Sequence, residues 1–177
     1  MDIGLLVNIT ARAWSLAILA AFHRGVPGRQ AALLQAVGAG RAAFGQSLGH
    51  LVALGLVERN PGHGHPLRPE YRLTPAGVVA ARLADGVLRV SQGGLVRRAW
   101  VVPVLGLSRL PCRFTQLRAG LGPVTDRALS QTLQAMQAER WIDRRIDPQD
   151  WPARPVYVAA GDGARIAALL APQLKSR

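Results

Sequence analysis

The chain has a single cysteine, Cys112, in 177 residues. One thiol cannot close an intramolecular disulfide, so cross-linking is excluded as a source of stability, and a reducing, cytoplasmic (nucleoid-associated) setting is expected. Acidic residues are scarce, 10 against 22 basic ones, and the formal net charge is +12. Lysine is almost missing too: Lys175 is the sole example, and the other 21 cations are arginines. Long apolar runs are absent. Asn8 and Arg12 interrupt the apolar start, and no run approaches the roughly 20 residues that span a bilayer. Asp2 stands where a targeting segment would carry a basic residue, so no such segment is expected. Catalytic signatures are also wanting: there is no glycine-rich phosphate loop, no paired carboxylates on an apolar helix and no nucleophile motif. No enzyme activity and no cofactor are expected. His63-Gly64-His65 supplies only half of a metal site, with no cysteine or carboxylate cluster nearby in sequence, so no metal is expected.

What is present is globular: 49% hydrophobic residues and 18% charged, too apolar for disorder. Residues 1–90 carry +5 and residues 91–177 carry +7, so both halves are basic, which favours a polyanionic partner. A GC-rich coding sequence accounts for arginine in place of lysine but not for the shortage of acids.

The two halves also repeat one another. Trp14 and Trp100 stand 86 residues apart, Leu48 and Leu133 stand 85 apart, Val57 and Ile142 stand 85 apart, and Tyr71 and Tyr157 stand 86 apart. Four landmarks at one spacing, allowing a single-residue gap, predict two copies of a small domain, residues 1–90 and 91–177, with residues 89–95 as linker. In the first copy the periodicity predicts a helix from Thr10, as N-cap, to Phe22, a short helix over Gln30–Gln35, and a longer one over Arg41–Leu54 stopped by Gly55. Strands follow at Leu56–Arg59 and Glu70–Leu73, and Thr74-Pro75 opens a helix to Leu88. The second copy runs in the same order: a helix over Val96–Leu107 that Pro103 would kink or push back, a short helix at Thr115–Ala119, a helix over Thr125–Glu139, strands at Trp141–Ile146 and Arg154–Val158, and a last helix capped by Asp162 and reaching Leu174. Helix, short helix, turn, helix and two strands describe a winged helix-turn-helix. The expected fold is mainly α with small β-hairpin wings (α+β), as two tandem winged helix-turn-helix domains. Trp14, Trp100 and Trp141 fall at core positions of the repeat and are expected to be buried, as is Cys112.

The second copy resembles the HxlR-type winged helix-turn-helix transcriptional regulators. Arg113-Phe114-Thr115-Gln116-Leu117-Arg118 is similar to that family's RRFNELR segment. Val124 to Leu133 is similar to its recognition helix, ISPKxLTQRL, and Glu139 to Arg144 to its EDGLIER. In the first copy, Leu54 to Arg59 and Tyr71 to Gly77 follow the same outline, the latter resembling YSLTEKG. The resemblance implies a transcriptional regulator that binds double-stranded DNA. Two departures stand out. Family members are usually single-domain homodimers, and the N-terminal cysteine of redox-sensing members has no counterpart here.

A recognition helix reads base edges in the major groove, arginine pairing with guanine and glutamine with adenine. The residues expected there are Thr125, Asp126, Arg127, Ser130, Gln131 and Gln134 in the second copy, with Arg113 just before its short helix, and Arg41, Gln46, Ser47 and His50 in the first. The wings offer Arg59, His63, His65 and Arg68, and Arg144, Arg145 and Arg154, to phosphates. Asp143, Asp147 and Asp150 oppose the second set and invite internal pairing. The expected function is a sequence-specific DNA-binding regulator whose two domains mimic a homodimer, with recognition helices about 34 Å apart in successive major grooves. The alternative is a protein-interaction module with a degenerate first domain, since Gly40, Ala42, Ala43, Gly45 and Gly49 give that helix few hydrogen-bonding groups. The apolar terminal helices could also bring two chains together as a homodimer. An effector molecule is not identifiable.

Overall fold

The computed structural model describes residues 1–61, 69–91, 94–146 and 154–174. They form two compact units, Arg12–Arg89 and a second built from Met1–Ala11 with Val90–Arg177. This division differs from the expected boundary at residue 90 in one respect: the first eleven residues group with the second half of the chain. Among the described residues the chain is mainly helical with two small antiparallel sheets. No single helix in them is long and apolar enough to cross a membrane.

The unit Arg12–Arg89 is built on α2 (Ser15–His23), which buries Leu16, Ile18, Leu19, Ala20 and Ala21. A helix apolar on nearly every side belongs in a core. Around it lie α3 (Gln30–Val37) and α4 (Arg41–Ala53). α4 points Phe44, Leu48 and Leu51 inward at helical spacing. It ends in a Schellman motif, with Gly55 at φ 67°, the Gly55 N–H donating to the Val52 carbonyl and the Leu56 N–H to the Leu51 carbonyl. Strands β1 (Val57–Arg59) and β2 (Tyr71–Leu73) pair antiparallel with Glu58 opposite Arg72, whose side chains form an ion pair at 2.7 Å. Thr74 then caps α5 (Pro75–Val90), its hydroxyl accepting from the Gly77 N–H. Gly77 is required here, because a Cβ would lie 1.8 Å from the Leu56 carbonyl oxygen.

Deep in this unit, Asp85 accepts from Arg24 Nε at 2.5 Å and from Arg89 Nε at 2.7 Å. Burial disfavours its charge, but hydrogen bonds and positive charge from the two arginines outweigh that and hold the carboxyl below its usual range.

The other unit centres on α6 (Val101–Leu107), whose first five residues are all buried. The helix expected from Val96 is broken: a 3-10 turn covers Gly94–Arg97, and α6 starts after Trp100. That start leaves Pro103 in the first turn, where its missing N–H has no intrahelical acceptor to lose. The expected linker is correspondingly reduced. α5 runs to Val90 and the 3-10 turn begins at Gly94.

α1 (Ile3–Thr10) packs on α6 and α7 (Phe114–Leu121). The expected cap at Thr10 is corrected: Thr10 ends α1, is buried, and its hydroxyl donates to the Ala99 carbonyl at 2.6 Å. Asp2 caps this helix instead, accepting from the Leu5 N–H. Leu6 and Ile9 are thereby buried within the unit. The C-terminal helix α9 (Gly161–Leu170) similarly buries Ile166, Ala167 and Leu170; it starts after Ala160, so the expected cap at Asp162 is corrected, that residue lying in the first turn and pairing with Arg165 at 3.0 Å.

A three-stranded sheet has order β3-β5-β4, with β3 (Cys112–Arg113), β4 (Ile142–Ile146) and β5 (Pro155–Ala159). β3, two residues long, was not expected. It places Cys112 opposite Tyr157, and the thiol is partly rather than fully buried, which pushes its pKa up. Trp141 is buried as expected, whereas Trp14 and Trp100 are only half-buried.

Two stability tests follow. Asp85→Asn should cost about 1–3 kcal/mol, less than a fully buried pair because both arginines are half-exposed or more. A depressed carboxyl contributes fully above the unfolded value of about 3.9 and loses that contribution as pH falls through its lower folded value. Urea denaturation should therefore show the gap between wild type and variant narrowing below about pH 4; a gap constant from pH 6 to pH 2.5 would refute the assignment. Arg140, at φ 58°, occupies a left-handed position that suits glycine. Arg140→Gly should raise stability by about 1 kcal/mol in the same assay.

Candidate nucleic-acid interface

α7 and α8 (Asp126–Ala138) form a helix-turn-helix. Leu117 and Leu121 anchor α7 in the core. The turn passes through Gly122 at φ 74° and the buried Val124. Thr125 then caps α8, its hydroxyl accepting from the Ala128 N–H at 3.2 Å. α8 turns Leu129, Thr132, Leu133 and Met136 inward. Thr132 joins this buried face without a polar cost, because its hydroxyl donates to the Ala128 carbonyl at 2.8 Å.

With that face fixed, Arg127, Ser130, Gln131 and Gln134 are exposed along the opposite side. None has a side-chain hydrogen bond or ion pair among the described residues. One guanidinium, one hydroxyl and two amides thus stand free on a single stripe, the groups that can recognise base edges.

Two residues expected to read bases have other work. Thr125 is the cap, and Asp126 is paired with Arg118 Nε at 2.5 Å. That pair ties α7 to the start of α8 and neutralises a carboxylate that would repel phosphate. Sequence reasoning missed Arg118; the available signal was an acid at the first helical position eight residues after an arginine. Arg113 lies half-buried at the start of α7, its N–H donating to Gln116 Oε1 at 2.7 Å.

In the wing, Arg144, Arg145 and Arg154 are exposed. Arg144 lies opposite Tyr157 and Arg145 opposite Val156. Arg145 is paired with Asp143 at 2.9 Å, the internal pairing that the acids of this wing suggested. Asp147 and Asp150 lie outside the described residues.

In the unit Arg12–Arg89, α4 exposes Arg41 and Gln46, and β1 exposes Arg59. His50 is half-buried. Ser47 is corrected: it is buried and its hydroxyl donates to the Ala43 carbonyl at 2.9 Å, so it cannot face a groove. Arg68, His63 and His65 lie outside the described residues.

Thr125→Ala should cost about 1 kcal/mol and speed hydrogen exchange at the Ala128 amide, while Thr125→Ser should preserve both. Unchanged exchange at Ala128 in the alanine variant would argue against the cap.

Comparison with known proteins agrees with this geometry for part of the chain. Residues 95–175 match the family model described as HxlR-like helix-turn-helix. No curated protein and no solved structure matches the chain.

Proposed function

We propose that the chain is a sequence-specific, double-stranded-DNA-binding transcriptional regulator, and that Arg12–Arg89 is a second winged helix-turn-helix, so that one chain carries the pair of recognition helices a homodimer would supply. The observation that carries the DNA-binding reading is the free polar stripe Arg127, Ser130, Gln131 and Gln134 on the second helix of the helix-turn-helix, within the span similar to HxlR-like proteins. That family consists of transcription regulators rather than enzymes.

The tandem reading is supported by recurrence of the same local solutions. α3 and α7 each have 8 residues, and α4 and α8 each have 13. Both longer helices end in the same Schellman pattern, Gly55 and Leu56 in one, Arg140 and Trp141 in the other. The carbonyl of Leu56 accepts the Thr74 N–H, and that of Trp141 accepts the Ala160 N–H. Gly77 and Gly163 stand against those two carbonyls, leaving no room for a Cβ in either place. Arg29 bridges Glu70 where Arg113 bridges Val156.

Under this reading Arg127 supplies base recognition, while Arg144 and Arg154 meet phosphates beside the groove. A second copy of the chain is not needed to present two helices, and the buried faces of α1 and α9 are occupied inside their own unit.

The test is an anisotropy titration on fragments of the host genome near 0.1 M salt. Binding should weaken steeply with added salt, as counterion release requires. Arg127→Ala should weaken the preferred fragment by about 5- to 100-fold and leave random duplex nearly unchanged. Equal loss on both would refute base reading by Arg127. Absence of any salt-sensitive binding would instead favour the protein-interaction module, the reading that the small side chains of α4 support.

A further inference from the structure

We infer that base recognition in this protein is one-sided: α8 specifies sequence, α4 does not, and the preferred DNA site is a single unpaired element rather than an inverted repeat. This inference rests on the DNA-binding reading above and deepens it by naming the kind of duplex that is bound.

Aligning the two 13-residue helices from their first residues, Arg41 and Asp126, sets the four outward positions side by side. Arg127 corresponds to Ala42, Ser130 to Gly45, Gln131 to Gln46 and Gln134 to Gly49. Only the glutamine keeps a group that can hydrogen-bond to a base edge. Arg41 is exposed at the first residue of α4, but it aligns with Asp126 rather than with Arg127 and so lies outside this stripe. Ser47 does not restore the lost hydroxyl either, because it is buried and bonded to Ala43.

Packing does not force this blankness. A Cβ built at Gly45 or at Gly49 meets nothing within 4 Å, and neither residue has a positive φ. Larger side chains could therefore stand at both positions without strain, and glycine inside a helix is itself unfavourable relative to alanine. The two helices share length, end geometry and core spacing, yet at these four positions one offers four donor or acceptor side chains and the other offers one. Discrimination between base pairs comes from such pairings, each contributing about 5- to 100-fold. With Gln46 alone on this stripe, α4 lacks the set of pairings that defines an element, while α8 can specify several base pairs, with guanine opposite Arg127 and adenine opposite Gln131 or Gln134.

The experiment is selection from a pool of randomised duplex DNA by the full-length protein, followed by titration of the selected duplex. The expected result is one conserved element of a few base pairs with no inverted partner. Gln131→Ala should then lower discrimination between selected and random duplex by about 5- to 100-fold, and Gln46→Ala by less than about 5-fold. The triple replacement Ala42→Arg, Gly45→Ser and Gly49→Gln, with folding verified by circular dichroism, should make the same selection yield a second copy of the element. Selection of an inverted repeat by the wild type, equal losses from Gln46→Ala and Gln131→Ala, or no second element with the triple variant would each overturn the inference while leaving DNA binding intact. Failure of the wild type to retain any duplex near 0.1 M salt would overturn the DNA-binding reading, and this inference with it.

Discussion

The contact that orders the rest of the second unit is a backbone one. Where α8 ends, the Trp141 carbonyl accepts the Ala160 N–H, and the start of α9 lies so close that position 163 admits only glycine. A single peptide group therefore fixes three things together: the exit of the helix, the first pairing of the wing, and the approach of the closing helix. The Leu56 carbonyl, Thr74 and Gly77 make the same joint in the other unit. Such a joint has little tolerance, because a buried carbonyl left without its donor costs roughly 1–3 kcal/mol and a Cβ at the glycine would displace it. Once it is closed, the rotation of α8 about its axis is set by Leu129, Leu133 and Met136 seated in the core.

Rotation is what turns a fold into a surface. With the apolar stripe inward, the polar groups of α8 must face outward, and Thr125 and Arg118 hold the first turn from both sides. The groups that position the helix are thus different from those left free, and each expected reader that proved unavailable was taken by another bond: Thr125 by the cap, Asp126 by Arg118 of the preceding helix, Ser47 by Ala43. Small hydroxyl and carboxylate side chains near helix starts are drawn to backbone and near neighbours. Arg127, Ser130, Gln131 and Gln134 have no such partner among the described residues and stay available.

That distinction also marks what was legible in the sequence. The apolar periodicity of α4 and α8, the stop at Gly55, the cap at Thr74 and the wing strands could all be read, since each depends on residues within a few positions of one another. What could not be read depends on distant partners. α1 is a separate helix because Thr10 bonds Ala99 rather than starting a new turn. β3 exists because β5 offers it an edge. Arg140 stands in a left-handed conformation that glycine, present at the matching Gly55, would have announced. The outward stripe of α8 was legible as a set of residue types; which of them are free was not, because Arg118 and Ala128 lie outside any reading of exposed positions.

The grouping of Met1–Ala11 with Val90–Arg177 gives the two units different relations to chain order. Every contact inside Arg12–Arg89 closes within one continuous stretch. The other unit must gather segments from both flanks of that stretch, and the bond between Thr10 and Ala99 joins residues 89 apart. The entropy of closing so long a loop grows only slowly with its length, so the arrangement costs little at equilibrium. Its effect lies in time instead: as the chain emerges from the ribosome, α1 has no core to join until α6 and α7 have followed, and its apolar face, Leu6 and Ile9, waits uncovered while the middle of the protein is made.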